Sequence, residues 1–259
     1  QIKGDNVVAI IHTRPKAYWL KLADFEGVKI MRGDLTKINF CQSLPKADFI
    51  IHAAGYGQPG RFLAEPVKTL KLNTLTTFLL FDKLKPKGKF LFISSSEVYS
   101  GLTHPPFKEN QIGTTNTDHI RACYIEAKRG GEAICYAFNQ KGIKAKIVRL
   151  SLVYGPGTRR NDKRVLNQLI AKGLKGEIRL LDQGRAKRTY GYVTDAIEAM
   201  WQILLRGREM IYNVGGESRI SIAGLAKKIG KELKAEVVMP KKSAAVSGAP
   251  QEVRMDLTK

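Results

Sequence analysis

The chain has 259 residues, of which 43% are hydrophobic and 26% are charged. This balance is typical of a folded globular protein and excludes an intrinsically disordered or collagen-like chain. No apolar run approaches the ~18 residues that a membrane-spanning helix needs, and no secretory signal pattern is present. Three cysteines without a C-x-x-C pair argue against a disulfide framework or a structural zinc site. We therefore expect no metal site and a cytoplasmic location.

The charge balance is strongly basic, since 44 Lys and Arg against 23 Asp and Glu give a net charge of +21. Such an excess attracts polyanions, which include nucleic acid, acidic membrane surfaces and phosphorylated small molecules. The basic residues are dispersed along the chain rather than joined in one run. A well-solvated basic surface is the simpler interpretation, and a polyanion-binding protein is kept as an alternative from a different class.

Strand and helix patterns alternate through the first part of the chain. Apolar and β-branched runs that predict buried parallel strands occupy residues 7–11, 28–31, 48–52, 89–93 and 143–152. Helical patterns lie between them at 65–84 and at 121–140, and the second one stops before Gly142. This alternation predicts an α/β fold with a doubly wound parallel sheet.

The pattern changes after Gly155. Helices are predicted near 164–172, 194–205 and 221–233, with short strands at 178–181 and 211–214. We expect these elements to form a small lobe on the carboxyl edge of the sheet, where doubly wound folds bind ligands. The predicted sheet domain comprises 1–154 and about 188–212, and the predicted substrate lobe comprises 155–187 and 213–259.

A hydroxyl-rich strand end and a tyrosine–lysine pair are the clearest signs of chemistry. One predicted strand runs into Ser94-Ser-Ser-Glu-Val-Tyr99, which delivers hydroxyls and a carboxylate to the edge of the sheet. Tyr124 and Lys128 are four residues apart on a predicted helix and so share one face. An ammonium beside a phenol favours the phenolate, which predicts a lowered pKa for Tyr124 and a role as general base, with Ser95 holding the substrate hydroxyl. One such spacing can also arise by chance in a Lys-rich chain with nine tyrosines.

Several motifs together resemble the extended short-chain dehydrogenases/reductases that act on nucleotide sugars. Besides the two patterns above, they are His52-Ala-Ala54, Asn73-Thr74, Tyr154-Gly-Pro156, residues 183–195 and Tyr212-Asn-Val-Gly-Gly216. Residues 121–129 and 161–165 are most similar to the UDP-glucuronate decarboxylase (UDP-xylose synthase) branch of this family. The resemblance implies a Rossmann-like sheet that binds NAD(P). It also implies a nucleotide-diphosphate sugar, most simply UDP-linked, as substrate, and a homodimer.

The resemblance further implies roles for individual residues. The catalytic group would be Ser95, Glu97, Tyr124 and Lys128. The cofactor contacts would be Thr13, Arg14, Asp34, Leu35, Ala53, Ala54, Asn73, Ser94, Tyr124 and Lys128. Asp34 and Leu35 would flank the adenine, while Ala53 and Ala54 would line the pyrophosphate path. The substrate contacts would be Asn73, Ser96, Arg164 and Arg188.

The chain departs from the family pattern in three places. Gln1 lies just ahead of the family's second strand, so we expect a preceding segment of about 25 residues with a central strand and a Gly-x-x-Gly-x-x-Gly turn. The loop after the 7–11 strand carries Arg14 and Lys16 instead of an acid, which makes NADP an alternative to NAD, although a solvated basic loop would look the same. Leu152 replaces the family's usual Asn, so no substrate contact is assigned there.

Family members begin with hydride transfer from sugar C4, and neighbouring residues determine the next chemical step. Dehydratases carry Asp-Glu after the catalytic hydroxyl, where this chain has Ser96-Glu97. A 4-keto uronate can lose CO2 without that acid, while Glu97 assists proton placement and Arg188 pairs with the carboxylate or the diphosphate. This pattern predicts an NAD(P)-dependent decarboxylase. A 4-epimerase, which needs only the hydroxyl, the tyrosine and the lysine, and a 4,6-dehydratase remain alternatives.

Overall fold

A computed structural model describes residues 6–12, 27–158, 162–240 and 252–259. Thr13 and Arg14, with the neighbouring Lys16, lie outside these ranges, so the cofactor contacts expected of that loop stay predictions. No helix within the described ranges is long and apolar enough to cross a membrane. In the same ranges, no group of three or more His, Cys, Asp or Glu is arranged to hold a metal ion.

The described strands are β1 (Val7–Ile11), β2 (Val28–Arg32), β3 (Ala47–His52), β4 (Leu84–Ser95), β5 (Lys144–Leu150), β6 (Leu152–Tyr154), β7 (Glu177–Arg179), β8 (Lys187–Arg188), β9 (Tyr190–Tyr192), β10 (Ile211–Val214), β11 (Ile220–Ser221) and β12 (Glu236–Val238). Four of them form the central sheet in the order β10–β5–β4–β3, and every ladder is parallel. Phe90, Phe92 and Ile147 are buried on one face of this sheet, and Leu91 and Val148 on the other. A parallel sheet buried on both faces confirms the predicted α/β class.

The described helices are α1 (Ile38–Ser43), α2 (Pro59–Ala64), α3 (Pro66–Asn73), α4 (Leu75–Phe81), α5 (Ala122–Gln140), α6 (Val165–Gly173), α7 (Val193–Arg206) and α8 (Ile222–Leu233). Helices α4 and α5 cover the Phe90 face of the sheet, and α7 covers the Leu91 face. The prediction of a helix at 121–140 is confirmed to within one residue. Gly142 follows it with φ +82°, a conformation that favours glycine and ends the helix.

The single helix predicted at 65–84 is wrong. The structure has α3 and α4 in that range, and β4 already begins at Leu84. Pro66 starts α3, where its fixed φ and missing N–H are tolerated. Thr74 separates the two helices with φ −112° and ψ −76°, and its hydroxyl donates to the Leu70 carbonyl at 2.9 Å. Such a back-bond from a threonine bends a helix, and periodicity alone does not reveal it.

Strands β1 and β2 form a separate parallel pair. Among the described residues, no ladder joins this pair to the central sheet, and β3 is bonded only to β4. The pair still packs on the same core, since Ile10 and Met31 contact the cluster that contains Phe90. The additional central strand expected from the sequence stays a prediction.

The second half of the chain has a hydrophobic cluster of its own, formed by Leu169, Ile178 and Ala226 between α6 and α8. Beside it, β12 pairs with β7 in parallel and β11 pairs with β8 in antiparallel orientation. Near the end of the chain, Met255 bridges to Phe107 in the loop after β4 and is buried there. The boundaries proposed for a sheet domain and a substrate lobe stay a prediction.

Candidate active site at the carboxyl edge of the sheet

The end of β4 presents the hydroxyl-rich segment. Ser95 caps a short 3-10 turn, Ser96–Tyr99, because its hydroxyl accepts a hydrogen bond from the Glu97 amide at 3.2 Å. Adjacent side chains on a strand point to opposite faces. Ser94 accordingly donates its hydroxyl into the protein interior, whereas Ser95 lies close enough to the Tyr124 phenol to lower its pKa. The structure therefore brings Ser95 and Tyr124 together.

Helix α5 carries Tyr124 and Lys128 on one buried face, where they are 8% and 6% exposed. The Lys128 ammonium donates to the Ile93 carbonyl at 2.7 Å and lies 5.8 Å from the centre of the Tyr124 ring. Phe62 of α2 stacks on Tyr124, with 4.6 Å between the ring centres. These contacts hold the tyrosine and the lysine side by side at the end of β4.

Burial, rather than the neighbouring lysine, determines the acidity of Tyr124. Loss of hydration raises its pKa to about 12, although the hydrogen bond of Ser95 and the charge of Arg121 act in the opposite direction. The expected lowering of this pKa by Lys128 is therefore wrong, because the ammonium donates to Ile93 and lies over the ring face. Burial also lowers the pKa of Lys128, to about 8.

Arg121 belongs to the site, although the sequence reasoning assigned it no role. It lies at the N-terminal cap of α5, and its Nη2 donates to Glu97 Oε1 at 2.5 Å. Its guanidinium carbon is 5.5 Å from the centre of the Phe62 ring, which stacks on Tyr124. The sequence could have indicated this, because Arg121 precedes Tyr124 by three residues and residues one helical turn apart are neighbours.

Two further guanidinium groups act on the site. Burial lowers the pKa of Arg188, while Tyr190 and then the charge of Glu97 act in the opposite direction. Arg164 is held by Asp162 at 2.7 Å, and its charge lowers the pKa of Tyr124. Both predicted arginines therefore lie within electrostatic reach of the residues at the end of β4, while their contacts with a substrate stay predictions.

A polar recess lies beside Lys128, between α3 and the loop after β3 that carries Ala53 and Ala54. Asn73 is fully buried, and its amide nitrogen donates to a main-chain carbonyl of α3 at 2.8 Å. Its Oδ1 has no hydrogen-bond partner within the described part of the chain. A Cβ on Gly55 would lie 3.6 Å from both Asn73 Oδ1 and Lys128 Nζ. An unpaired buried oxygen beside an ammonium fits the hydroxyls and amides of a dinucleotide cofactor.

Asp34 and Leu35, the residues predicted to flank an adenine, follow β2. The Asp34 carboxylate accepts hydrogen bonds from the amide and hydroxyl of Thr36 and pairs with Lys68 at 3.0 Å. Burial would raise the pKa of Asp34, but these contacts outweigh it and hold the pKa well below its usual range. Leu35 packs against the core. Cofactor contacts of either residue stay predictions.

Comparison with known proteins identifies the family. The model of the NAD dependent epimerase/dehydratase family matches residues 2–215. The chain belongs to this family. This membership confirms the family resemblance that the sequence motifs indicated.

Sequence relatives of this chain include UDP-glucuronic acid decarboxylase 1 of Xenopus tropicalis. It is 32% identical over 187 residues, which make up 71% of this chain and 44% of that protein. The chain spans between 42% and 69% of the length of such relatives.

Solved structures share the fold. The UDP-N-acetylglucosamine 4-epimerase of Methanobrevibacter ruminantium M1 superimposes with a TM-score of 0.84 and 22% identity, over 98% of this chain and 82% of the epimerase. The dTDP-glucose 4,6-dehydratase DesIV of Streptomyces venezuelae superimposes with a TM-score of 0.83 and 20% identity, over 98% and 80% of the two chains. These likenesses confirm the Rossmann-like fold.

Proposed function

We propose that this chain belongs to a nucleotide-sugar decarboxylase that oxidises sugar C4 and then releases the C5 carboxylate as CO2. The observation that carries the proposal is the Arg121–Glu97 ion pair beside the buried Tyr124. Since Ser96 stands where a dehydratase has an aspartic acid, Glu97 is the acid left for proton placement at C5. The name of the Xenopus relative, UDP-glucuronic acid decarboxylase 1, supports the same reaction and a UDP-linked substrate.

The charges of the site favour a substrate with more than one negative group. Arg121 pairs with the carboxylate of Glu97, the charge of Glu97 acts on Arg188, and the Lys128 ammonium lies beside Tyr124. A nucleotide-diphosphate uronate supplies both a diphosphate and a carboxylate, which guanidinium groups bind bidentately. Arg121 Nε is buried without a partner among the described residues, so a substrate oxygen can complete its hydrogen bonding.

Each residue of the site has its own role in the proposed reaction. Ser95 holds the C4 hydroxyl, and Tyr124 as phenolate takes its proton while the C4 hydrogen leaves as hydride. A nicotinamide dinucleotide held at Asn73 and Lys128 would supply the hydride acceptor and later the hydride donor, which leaves the cycle redox-neutral. The C5–carboxylate bond then breaks, its electron pair moves towards the C4 oxygen, and Glu97 directs the proton that C5 takes up. At the end of the cycle Tyr124 returns its proton to the C4 oxygen.

The cofactor in this proposal is NAD, with NADP as the alternative. Asn73 Oδ1, the Lys128 ammonium and the backbone at Gly55 form the recess that would hold its ribose and nicotinamide portion. The DesIV dehydratase, which has the same fold, was solved with NAD bound. The residue that would favour NADP is Arg14, which lies outside the described ranges.

We also propose a homodimer. Five large apolar side chains are exposed on helices α2 to α5: Leu63, Val67, Leu70, Phe78 and Tyr136. Val67 alone is 64% exposed. Exposed apolar side chains grouped on neighbouring helices are typical of interaction sites, and a second copy of the chain would cover them by twofold symmetry.

The test of the function is incubation of the purified protein with NAD and UDP-glucuronate, followed by mass spectrometry of the nucleotide sugar. Loss of CO2 is the expected result. Loss of water would indicate a dehydratase, and an isomer of unchanged mass would indicate an epimerase. Salt-dependent retention on nucleic acid without any turnover would favour the polyanion-binding alternative.

A further inference from the structure

A buried ion pair that the proposed reaction does not use lies directly behind the catalytic edge. Glu132, one turn after Lys128 on α5, is 6% exposed, and Arg149 on β5 is 3% exposed. The Glu132 carboxylate accepts from Arg149 Nη2 at 2.7 Å and from Arg149 Nε at 3.0 Å. It also accepts the Ser94 hydroxyl at 2.5 Å. The pair therefore reaches the residue next to Ser95.

Arg149 extends the same network to other elements. Its Nη1 donates to the Tyr99 hydroxyl at 3.0 Å and to the main-chain carbonyls of Glu109 and Gln111. The Tyr99 hydroxyl in turn donates to Asn213 Oδ1 on β10 at 2.7 Å. Helix α5, three strands of the central sheet and the 3-10 turn are thus joined through one ion pair.

The surroundings of Lys128 give Glu132 an electrostatic role as well. From α5 the ammonium is faced by Tyr124 and Glu132, and from β4 by the Phe92 ring and the Ile93 carbonyl. These groups include one carboxylate.

The remaining neighbours of Lys128 are uncharged. His52 lies on β3, and burial, with a further contribution from Lys128, lowers its pKa to about 3, so the imidazole is neutral at physiological pH. Asn73 lies on the α3 side. Among the described residues, Glu132 is therefore the anion that acts on the ammonium, and it favours the charged form against burial.

Stability alone does not require an ion pair at this place. Two charges withdrawn from water are stabilised by each other only if their geometry is good, and an apolar pair of similar volume is often as stable. Here the pair is placed where its negative partner faces Lys128 and its hydrogen bond fixes Ser94.

We propose that Glu132 is a positioning residue, which anchors the end of β4 through Ser94 and supplies the negative charge that faces the Lys128 ammonium. The inference rests on the proposed function only for the use made of Lys128 in turnover. The electrostatic coupling itself belongs to the fold and can be measured without substrate.

The experiment is a pH titration of the protein with ¹³Cε-labelled lysine, followed by NMR, in which the Lys128 resonance is the one lost in Lys128→Arg. Glu132→Gln keeps an acceptor for Ser94 but removes the charge, so the Lys128 midpoint should fall by about one pH unit. Glu126→Gln is the matched control, since Glu126 lies on the same helix and pairs with Arg129. Its midpoint should equal that of the parent.

Glu132→Gln leaves the charge of Arg149 buried without its partner and can fail to fold. The variant Glu132→Gln with Arg149→Met removes both charges and then decides the outcome, with a fall in midpoint again expected. If either Glu132→Gln variant folds and its Lys128 midpoint equals that of Glu126→Gln, the proposal is overturned. If the midpoint falls but the parent converts no nucleotide sugar, the coupling stands and the proposed function fails. If the parent is active, the break in its pH–rate profile that reports Lys128 should move with the Lys128 midpoint.

Discussion

Arg121 at the start of α5 donates a hydrogen bond to Glu97 on the turn after β4 across 2.5 Å, and so joins the two segments that carry the candidate chemistry. The pKa of Tyr124 is raised to about 12, chiefly by burial. The charge of Glu97 contributes to this rise, while the charge of Arg121 opposes it. The acidity of the proposed base therefore depends on both partners.

Replacement of Glu97 and replacement of Arg121 should shift the pH dependence of C4 oxidation in opposite directions. A general base works when deprotonated, so the rising limb of the rate follows its pKa. Glu97→Gln should shift that limb for C4 oxidation to lower pH, and Arg121→Gln should shift it to higher pH. The oxidation step is followed by the ultraviolet absorbance of the reduced nicotinamide. Shifts of the same sign, or none, would contradict the assigned electrostatics.

Tyr124→Phe should lower turnover by ~10²–10⁴-fold, the usual contribution of a general acid–base group. Affinity for the nucleotide sugar, measured by calorimetry, should change little, because the ring and its stacking on Phe62 are retained. Tyr136→Phe is the control, since Tyr136 is exposed on the same helix. Turnover of Tyr124→Phe within about threefold of the parent would exclude the tyrosine as the base.

Arg188→Lys should raise the KM for a nucleotide uronate even though the charge is kept. An ammonium is a point charge and cannot present the planar fork that grips two oxygens. Arg185→Lys is the matched control, because Arg185 is exposed three residues away. Unchanged kinetics in Arg188→Lys would show that the guanidinium geometry is not used.

Val67→Glu should convert the proposed dimer to a monomer. It places a charge among the exposed apolar side chains of α2 to α5, where an interface would have to desolvate it. Light scattering after size-exclusion chromatography gives the mass of the particle. The same substitution at Val165, an exposed valine of α6, should leave that mass unchanged. A parent protein that is already monomeric rejects the dimer.

Features that depend on local spacing could be predicted from the sequence. The alternation of strands and helices, the shared face of Tyr124 and Lys128, and the hydroxyls at the end of β4 all follow from periods of two or four residues. Features that depend on tertiary contacts could not. The Arg121–Glu97 pair joins positions 24 residues apart. Burial of Tyr124 under Phe62 reversed the expected direction of its pKa shift.

The most direct test of the central claim uses UDP-glucuronate that carries ¹³C only in its carboxylate. Incubated with the protein and NAD, it should release labelled CO2 and an unlabelled UDP-pentose in equal amounts, and Tyr124→Phe should suppress both. Label that stays in the nucleotide sugar while its C4 configuration changes or water is lost would contradict decarboxylation. A protein that binds UDP-glucuronate but never releases labelled CO2 would contradict it equally.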